Sequence, residues 1–242
     1  MERKQKTVIV TGAPQGIGAG IIRSFLARGY NVVGTSRSAT KSKEISVSAH
    51  LALIDGDIGR LETAHRVAQA ALDNFGSIDA VVANAGIFSA KRFTDYTPED
   101  LGAFVSTNLA GFVYVTQLAV AQMQVQKSGG SVVAITASLV ENPIAGVPVS
   151  IPMITKGGLQ AVLRSLASEY AKERIRFNAV APGVVDTPLH AEDPREFLET
   201  LSPMGSLSTV DDIASAVVYL TEARQITGEV LHVDGGAHNG RW

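Results

Sequence analysis

The chain has no cysteine among its 242 residues. That rules out disulfides and cysteine-ligated metal sites and leaves the redox compartment open. Aromatic residues make up 6% of the sequence, with a single tryptophan, and charged residues 18%. The formal net charge is −2, so no surplus of either sign points to nucleic acid or an anionic membrane surface. No uninterrupted apolar run approaches the roughly 20 residues that span a bilayer. The basic start, MERKQKTVIV, runs into a strand without an apolar signal core, so a cytoplasmic protein is the expectation. Repeats, low-complexity tracts and linker-like segments are also missing, which predicts one domain over residues 1–242. No metal site is expected.

What is present is alternation. β-Branched runs predict strands at Thr7–Val10, Asn31–Thr35, Leu51–Ile54, Ile78–Ala83, Gly130–Thr136, Ile175–Val180 and Glu229–Val233. Apolar residues at helical spacing separate them. They follow Gly18 and cover about Leu61–Phe75, Pro98–Gln126, Pro152–Ala171, Pro194–Leu201 and Val210–Leu220. Strand–helix alternation of this kind predicts an α/β fold, a doubly wound parallel sheet of about seven strands with helices on both faces. Residues 187–208 hold three prolines and read as a lid rather than a separate substrate domain.

The organising stretch is Thr7–Gly18, TVIVTGAPQGIG, a strand that enters a glycine-rich turn and then a helix. Such a turn gathers bare N–H groups and a helix N-terminus at one point, where a pyrophosphate can sit. The spacing of Gly12, Gly16 and Gly18 is G-x-x-x-G-x-G, which resembles the cofactor turn of the short-chain dehydrogenase/reductase family. The likeness runs nearly the length of the chain. Asp57-Ile58 resembles the adenine-contacting pair, though Asp57 also reads as a plain turn residue. Asn84-Ala85-Gly86 resembles the family's N-A-G. Pro182-Gly183-Val184-Val185-Asp186-Thr187 resembles the segment around the nicotinamide carboxamide, with Val185 and Thr187 as contacts. Gln15, Gly16 and Ile17 belong to the turn itself.

The resemblance implies an oxidoreductase that moves hydride between a nicotinamide cofactor and a carbonyl/alcohol or imine. It also implies assembly as a homodimer or homotetramer through the long helices flanking strand five. An acid at the end of strand two favours NAD, but here Ser36-Arg37 stands in that place. A guanidinium there can grip a 2′-phosphate, so NADP(H) is expected over NAD(H). Of the family's catalytic residues, Asn108 matches the water-holding Asn, Ser138 the Ser and Lys156 the Lys. Four residues before Lys156, where the family carries Tyr, stands Pro152. Tyr170 lies four residues before Arg174 but at the end of that same helix, too late to be the site, and Tyr30, Tyr96, Tyr114 and Tyr219 belong to other elements.

The missing acid leaves several readings. Ser138 with a Lys156-bound water is the favoured donor, and Lys156 can also be a ribose ligand only. Ser150 reads as the helix cap, with Pro152 in the first turn. The pocket reads as apolar, with Pro143, Ile144, Val147, Pro148, Val149, Ile151, Met153, Leu189 and Met204 around polar Glu141 and Asn142. The rival is a catalytically silent NADP-binding scaffold or sensor.

Overall fold

Seven parallel strands form one sheet in the order β3-β2-β1-β4-β5-β6-β7 in a computed structural model, which describes residues 5–45 and 48–240. The strands are β1 Thr7–Thr11, β2 Asn31–Ser36, β3 Leu51–Asp55, β4 Ala80–Ala83, β5 Gly130–Ile135, β6 Ile175–Pro182 and β7 Val230–Val233. The helices are α1 Gly16–Ala27, α2 Leu61–Phe75, α3 Pro98–Phe104, α4 Gly111–Gln126, α5 Ser150–Glu169, α6 Arg195–Glu199 and α7 Val210–Glu222.

Period-2 alternation sends each strand's side chains to opposite faces. Val8 and Val10 of β1 pack under α1 and α7 with Ile21, Phe25 and Val217. Ile9 packs on the other face with Val67 of α2, Val115 of α4 and Leu163 of α5. Both faces are covered, and for this reason the central strands are apolar throughout. The chain steps outward from β1 to β3, then returns to place β4 on the other side of β1. At that reversal the loops leaving β1 and β4 part, opening a crevice at the carboxyl ends of the strands.

Three expectations are corrected. β4 begins at Ala80 rather than Ile78, because the Gln126 side chain takes the backbone of Ile78. Its Oε1 accepts from the Ile78 N–H at 2.9 Å and its Nε2 donates to the Ile78 carbonyl at 2.9 Å. The helical stretch from Pro98 to Gln126 is not uniform, since Val105–Ala110 forms a π-helical segment between α3 and α4. The loop after β3 presses there: a Cβ on Gly111 would stand 2.9 Å from Ile58 Cγ2. Lastly, α5 starts two residues early, so Ser150 is its first residue and makes no side-chain cap, while Val149 stands at the N-cap. Pro152 does fall in the first turn, where no intrahelical N–H bond is lost.

The membrane expectation also needs amending. Leu101 to Gln126 holds no charged residue, and Pro98–Gln126 is long and apolar enough to cross a bilayer. Ser, Thr, Asn, Gly and Gln interrupt the apolar run without adding charge, so a search for unbroken runs misses it. Phe112, Val115, Ala119, Val120 and Met123 bury one side of this helix in the sheet's core.

Candidate active site

The turn after β1 is held in a shape that only glycine allows at its key positions. Gly12 and Gly16 have φ of 71° and 54°, the left-handed region that penalises a Cβ. A Cβ on Gly18 would collide with the Gly12 carbonyl oxygen, so the helix can close onto the strand only without one. The first turn of α1 carries no acidic residue, and its N-cap Gln15 makes no side-chain cap. The free N–H groups and positive helix end are thus left for an anion.

Asn84 locks this turn to β4. Its Nδ2 donates to the carbonyls of Thr11 at 2.9 Å and Gly12 at 3.1 Å. In return, Thr11 Oγ1 accepts from the N–H groups of Asn84 and Ala85 at 3.1 and 3.0 Å. From this bracket a cavity of about 500 Å³ opens along the strand ends. Gly12, Gln15, Gly16, Ile17 and Gly18 line one end, with Asn84, Ala85 and Gly86 beside them. Ser138 and Lys156 line the same cavity, as do Pro182, Gly183, Val185 and Thr187.

Lys156 is 8% exposed. Its Nζ donates to the Ile135 carbonyl at 2.7 Å. Burial disfavours the ammonium and lowers its pKa from 10.5 to about 8. Ser138 is buried at the start of a single 3-10 turn, Ser138–Val140, directly after β5. Asn108 sits on the π segment and does not line the cavity. Its Oδ1 accepts from the Ile87 N–H at 2.8 Å, while Nδ2 donates to the Ile87 carbonyl at 3.2 Å and to Thr155 Oγ1 at 3.0 Å. Thr155 in turn donates to the Pro152 carbonyl at 2.9 Å. Asn108 thereby ties the loop after β4 to the first turn of α5. Among the described residues, no tyrosine lines the cavity.

Four other expected residues also lie outside the cavity wall. Ser36 ends β2, and its Oγ accepts from the Ser38 N–H at 3.1 Å. Arg37 is exposed in the turn that follows. Asp57 Oδ1 accepts from the Gly59 N–H at 3.0 Å, the turn role open to it from the start, and Ile58 is buried beneath α4. Of the expected apolar lining, Ile144, Val147 and Leu189 face the cavity. Pro143, Pro148, Val149, Ile151, Met153 and Met204 do not: Val149 and Ile151 go into the interior, and Met204 is 77% exposed. Glu141 and Asn142 turn to the chain's end, Glu141 reaching His232 at 3.2 Å and Asn142 the Ala237 carbonyl at 2.8 Å. Phe88 was not expected, and within the expected lid the individual residues His190, Asp193, Phe197, Leu198 and Leu201 were not singled out. The close spacing of Phe197, Leu198 and Leu201 was the available signal.

A parallel doubly wound sheet with an open helix end at its switch point is an architecture in which nucleotide cofactors are bound. A family model described as enoyl-(acyl carrier protein) reductase matches residues 12–238. The chain is 34% identical over 247 residues to an L-rhamnose 1-dehydrogenase (NAD(P)(+)) of Azotobacter vinelandii, covering 96% of each. It is 35% identical over 246 residues to 3beta-hydroxysteroid dehydrogenase 1 of Eggerthella lenta, covering 96% of this chain and 94% of the relative. Among solved structures, a variant of ElxO with one tyrosine replaced by phenylalanine, with NADPH bound, superposes with a TM-score of 0.89. It is 28% identical, with 97% of this chain and 99% of that one covered. The chain belongs to the short-chain dehydrogenase/reductase family.

Proposed function

We propose that this protein is an NADP(H)-dependent oxidoreductase acting on carbonyl/alcohol or imine substrates of apolar character, with proton delivery altered by Pro152. The observation that carries this reading is a single cavity joining the uncapped N-terminus of α1 to Ser138 and Lys156. The turn fits a pyrophosphate: the start of α1 has no side-chain cap, Gly12 and Gly16 have positive φ, and Gly18 admits no side chain. When bound, a nicotinamide cofactor supplies or accepts the hydride.

The chain's own groups do the rest. Lys156, held on the Ile135 carbonyl, has two further N–H donors for a ribose hydroxyl or a water. Ser138 offers a hydroxyl to hold the carbonyl oxygen. Leu139, Ile144, Val147, Leu189 and Phe197 give the remaining wall an apolar lining, which suits aliphatic or alicyclic substrates better than sugars. Residues 187–208 act as the lid. Exposed Val105, Val113 and Ile154 on the long helices support a homodimer or homotetramer.

Arg37 supports the choice of NADP. Among the described residues its guanidinium has no partner, and no acid follows it at the end of β2. Asp55, on the next strand, gives its two oxygens to Thr40 at 2.8 and 2.6 Å. A charge-assisted hydrogen bond to phosphate contributes about 1.5–3 kcal/mol, so Arg37→Ala should weaken NADPH tens- to a hundredfold in a fluorescence titration and barely touch NADH. Equal losses would undo the NADP assignment. Oxidoreductase activity is tested by following NADPH absorbance across a panel of ketones and imines. Tight NADPH binding with no turnover throughout would make this a silent nucleotide-binding protein, the reading that Pro152 favours.

A further inference from the structure

Among the described residues, the cavity wall carries three titratable side chains, Lys156, His190 and Asp193, and the last two have had no role so far. They form a pair. His190 Nδ1 lies 2.8 Å from Asp193 Oδ2. A carboxylate only accepts, so Nδ1 carries the proton of this bond and Nε2 is left for a ligand.

Local structure fixes the pair in place. The His190 N–H donates to the Thr187 carbonyl at 3.0 Å, and the Asp193 N–H donates to the His190 carbonyl at 3.2 Å. Arg195 braces both ends of the segment, pairing with Asp186 at 3.0 Å and with Glu199 of α6 at 3.0 Å. The His190 side chain is 22% exposed and that of Asp193 50%, so solvent still reaches the pair. Leu189 and Phe197 lie on the same stretch of wall. An imidazole with a carboxylate on one nitrogen and an apolar lining beside it is a base–orienter arrangement.

We propose that His190, oriented by Asp193, is the catalytic acid that delivers the proton which a phenol at position 152 would otherwise supply. The proposal rests on the oxidoreductase reading. In reduction, the Nε2–H bond of the imidazolium breaks as an O–H bond forms on the substrate oxygen. The carbonyl carbon takes hydride from a reduced nicotinamide, which is oxidised, and the neutral imidazole regains its proton from solvent. Oxidation of the alcohol runs the same proton the other way. Ser138 can hold the oxygen, but a serine hydroxyl gives up no net proton near neutral pH without a base. Lys156 lines the cavity with its Nζ held by the Ile135 carbonyl, and in the oxidoreductase reading it serves the ribose.

Two measurements test this, one of them independent of turnover. Diethyl pyrocarbonate modifies free imidazole nitrogens, and peptide mass analysis reads each histidine separately. NADPH alone should protect His190 while leaving His50 and His65 unchanged; equal labelling of His190 with and without NADPH would overturn the proposal. In kinetics with a carbonyl that the wild-type protein reduces, His190→Gln and His190→Ala should lower kcat about 10²–10⁴-fold, the usual worth of general acid catalysis, with NADPH binding retained. Added imidazole should restore His190→Ala and not His190→Gln. An unchanged kcat in both variants would sink the His190 assignment and leave the oxidoreductase reading standing. A wild-type protein that reduces nothing would overturn both.

Discussion

The two ends of the cavity are built from different materials. The end proposed for phosphate is backbone: glycine φ angles, the uncapped start of α1, and the Asn84 bracket onto Thr11 and Gly12. The end proposed for the reaction is side chain: Ser138, Lys156 and the His190–Asp193 pair on separate elements. A site made of backbone tolerates almost no change, because altering it alters the fold. A site made of side chains can be rewritten one residue at a time. Pro152 illustrates this, since the first turn of α5 accepts proline without losing a hydrogen bond.

Pro152→Tyr should have the largest effect. It places a phenol one helical turn before Lys156, and in a His190→Ala background, where the acid is missing, ketone reduction should rise by as much as about 10²–10⁴-fold in steady-state assays. An unchanged or lower rate would mean that the reaction end has been shaped for something else, sharpening the contrast with the intact phosphate end.

Gly18→Ala attacks the other end. Its methyl group meets the Gly12 carbonyl and Asn84 Nδ2, so helix and strand must separate. Destabilisation of about 3 kcal/mol, at the upper end for overpacking, is expected in urea unfolding, together with loss of NADPH binding. A stable Gly18→Ala protein that still binds would break the comparison outright.

Lys156→Met has the smallest net effect on stability and tests the price of function at the reaction end. In the folded protein the amine's pKa falls from 10.5 to about 8 through burial. Between those values the unfolded chain holds the proton and the folded chain does not, so stability rises with pH across that window. Below pH 8 the burial penalty is present in full, about 3 kcal/mol, offset by about 1 kcal/mol for the bond to Ile135. Lys156→Met should therefore be about 2 kcal/mol more stable than wild type at pH 7. The gap should close as pH climbs from 8 through 10.5, read from urea midpoints. A gap that widens with pH would contradict the burial of the amine.

The legible parts of the molecule share one property: their signal is local. The strand runs, the glycine turn and Asn84-Ala85-Gly86 each combine residue types with a mechanical reason at short range, and apart from some strand ends they stand where expected. The misses are long-range. Gln126 trims β4 from 48 residues away, and the loop after β3 packs on the π segment around Asn108. Pro143, Pro148 and Met153, expected in the pocket as apolar residues, are absent from its wall, which is completed by α6 and the turn before it. Leu198 and Leu201 gave a short apolar pattern, but nothing in it said which cleft they would cover.

By itself the sequence determined the sheet, its two covered faces and the anion-ready turn, because period and glycine geometry act within a dozen residues. Only the tertiary structure decided what stands around the reacting atoms. There, Lys156 is buried against Ile135, Asn108 is committed to Ile87 and Thr155, and His190 and Asp193 join the wall facing the strand ends. Those placements come from packing between elements far apart in the chain, and no local pattern encodes them.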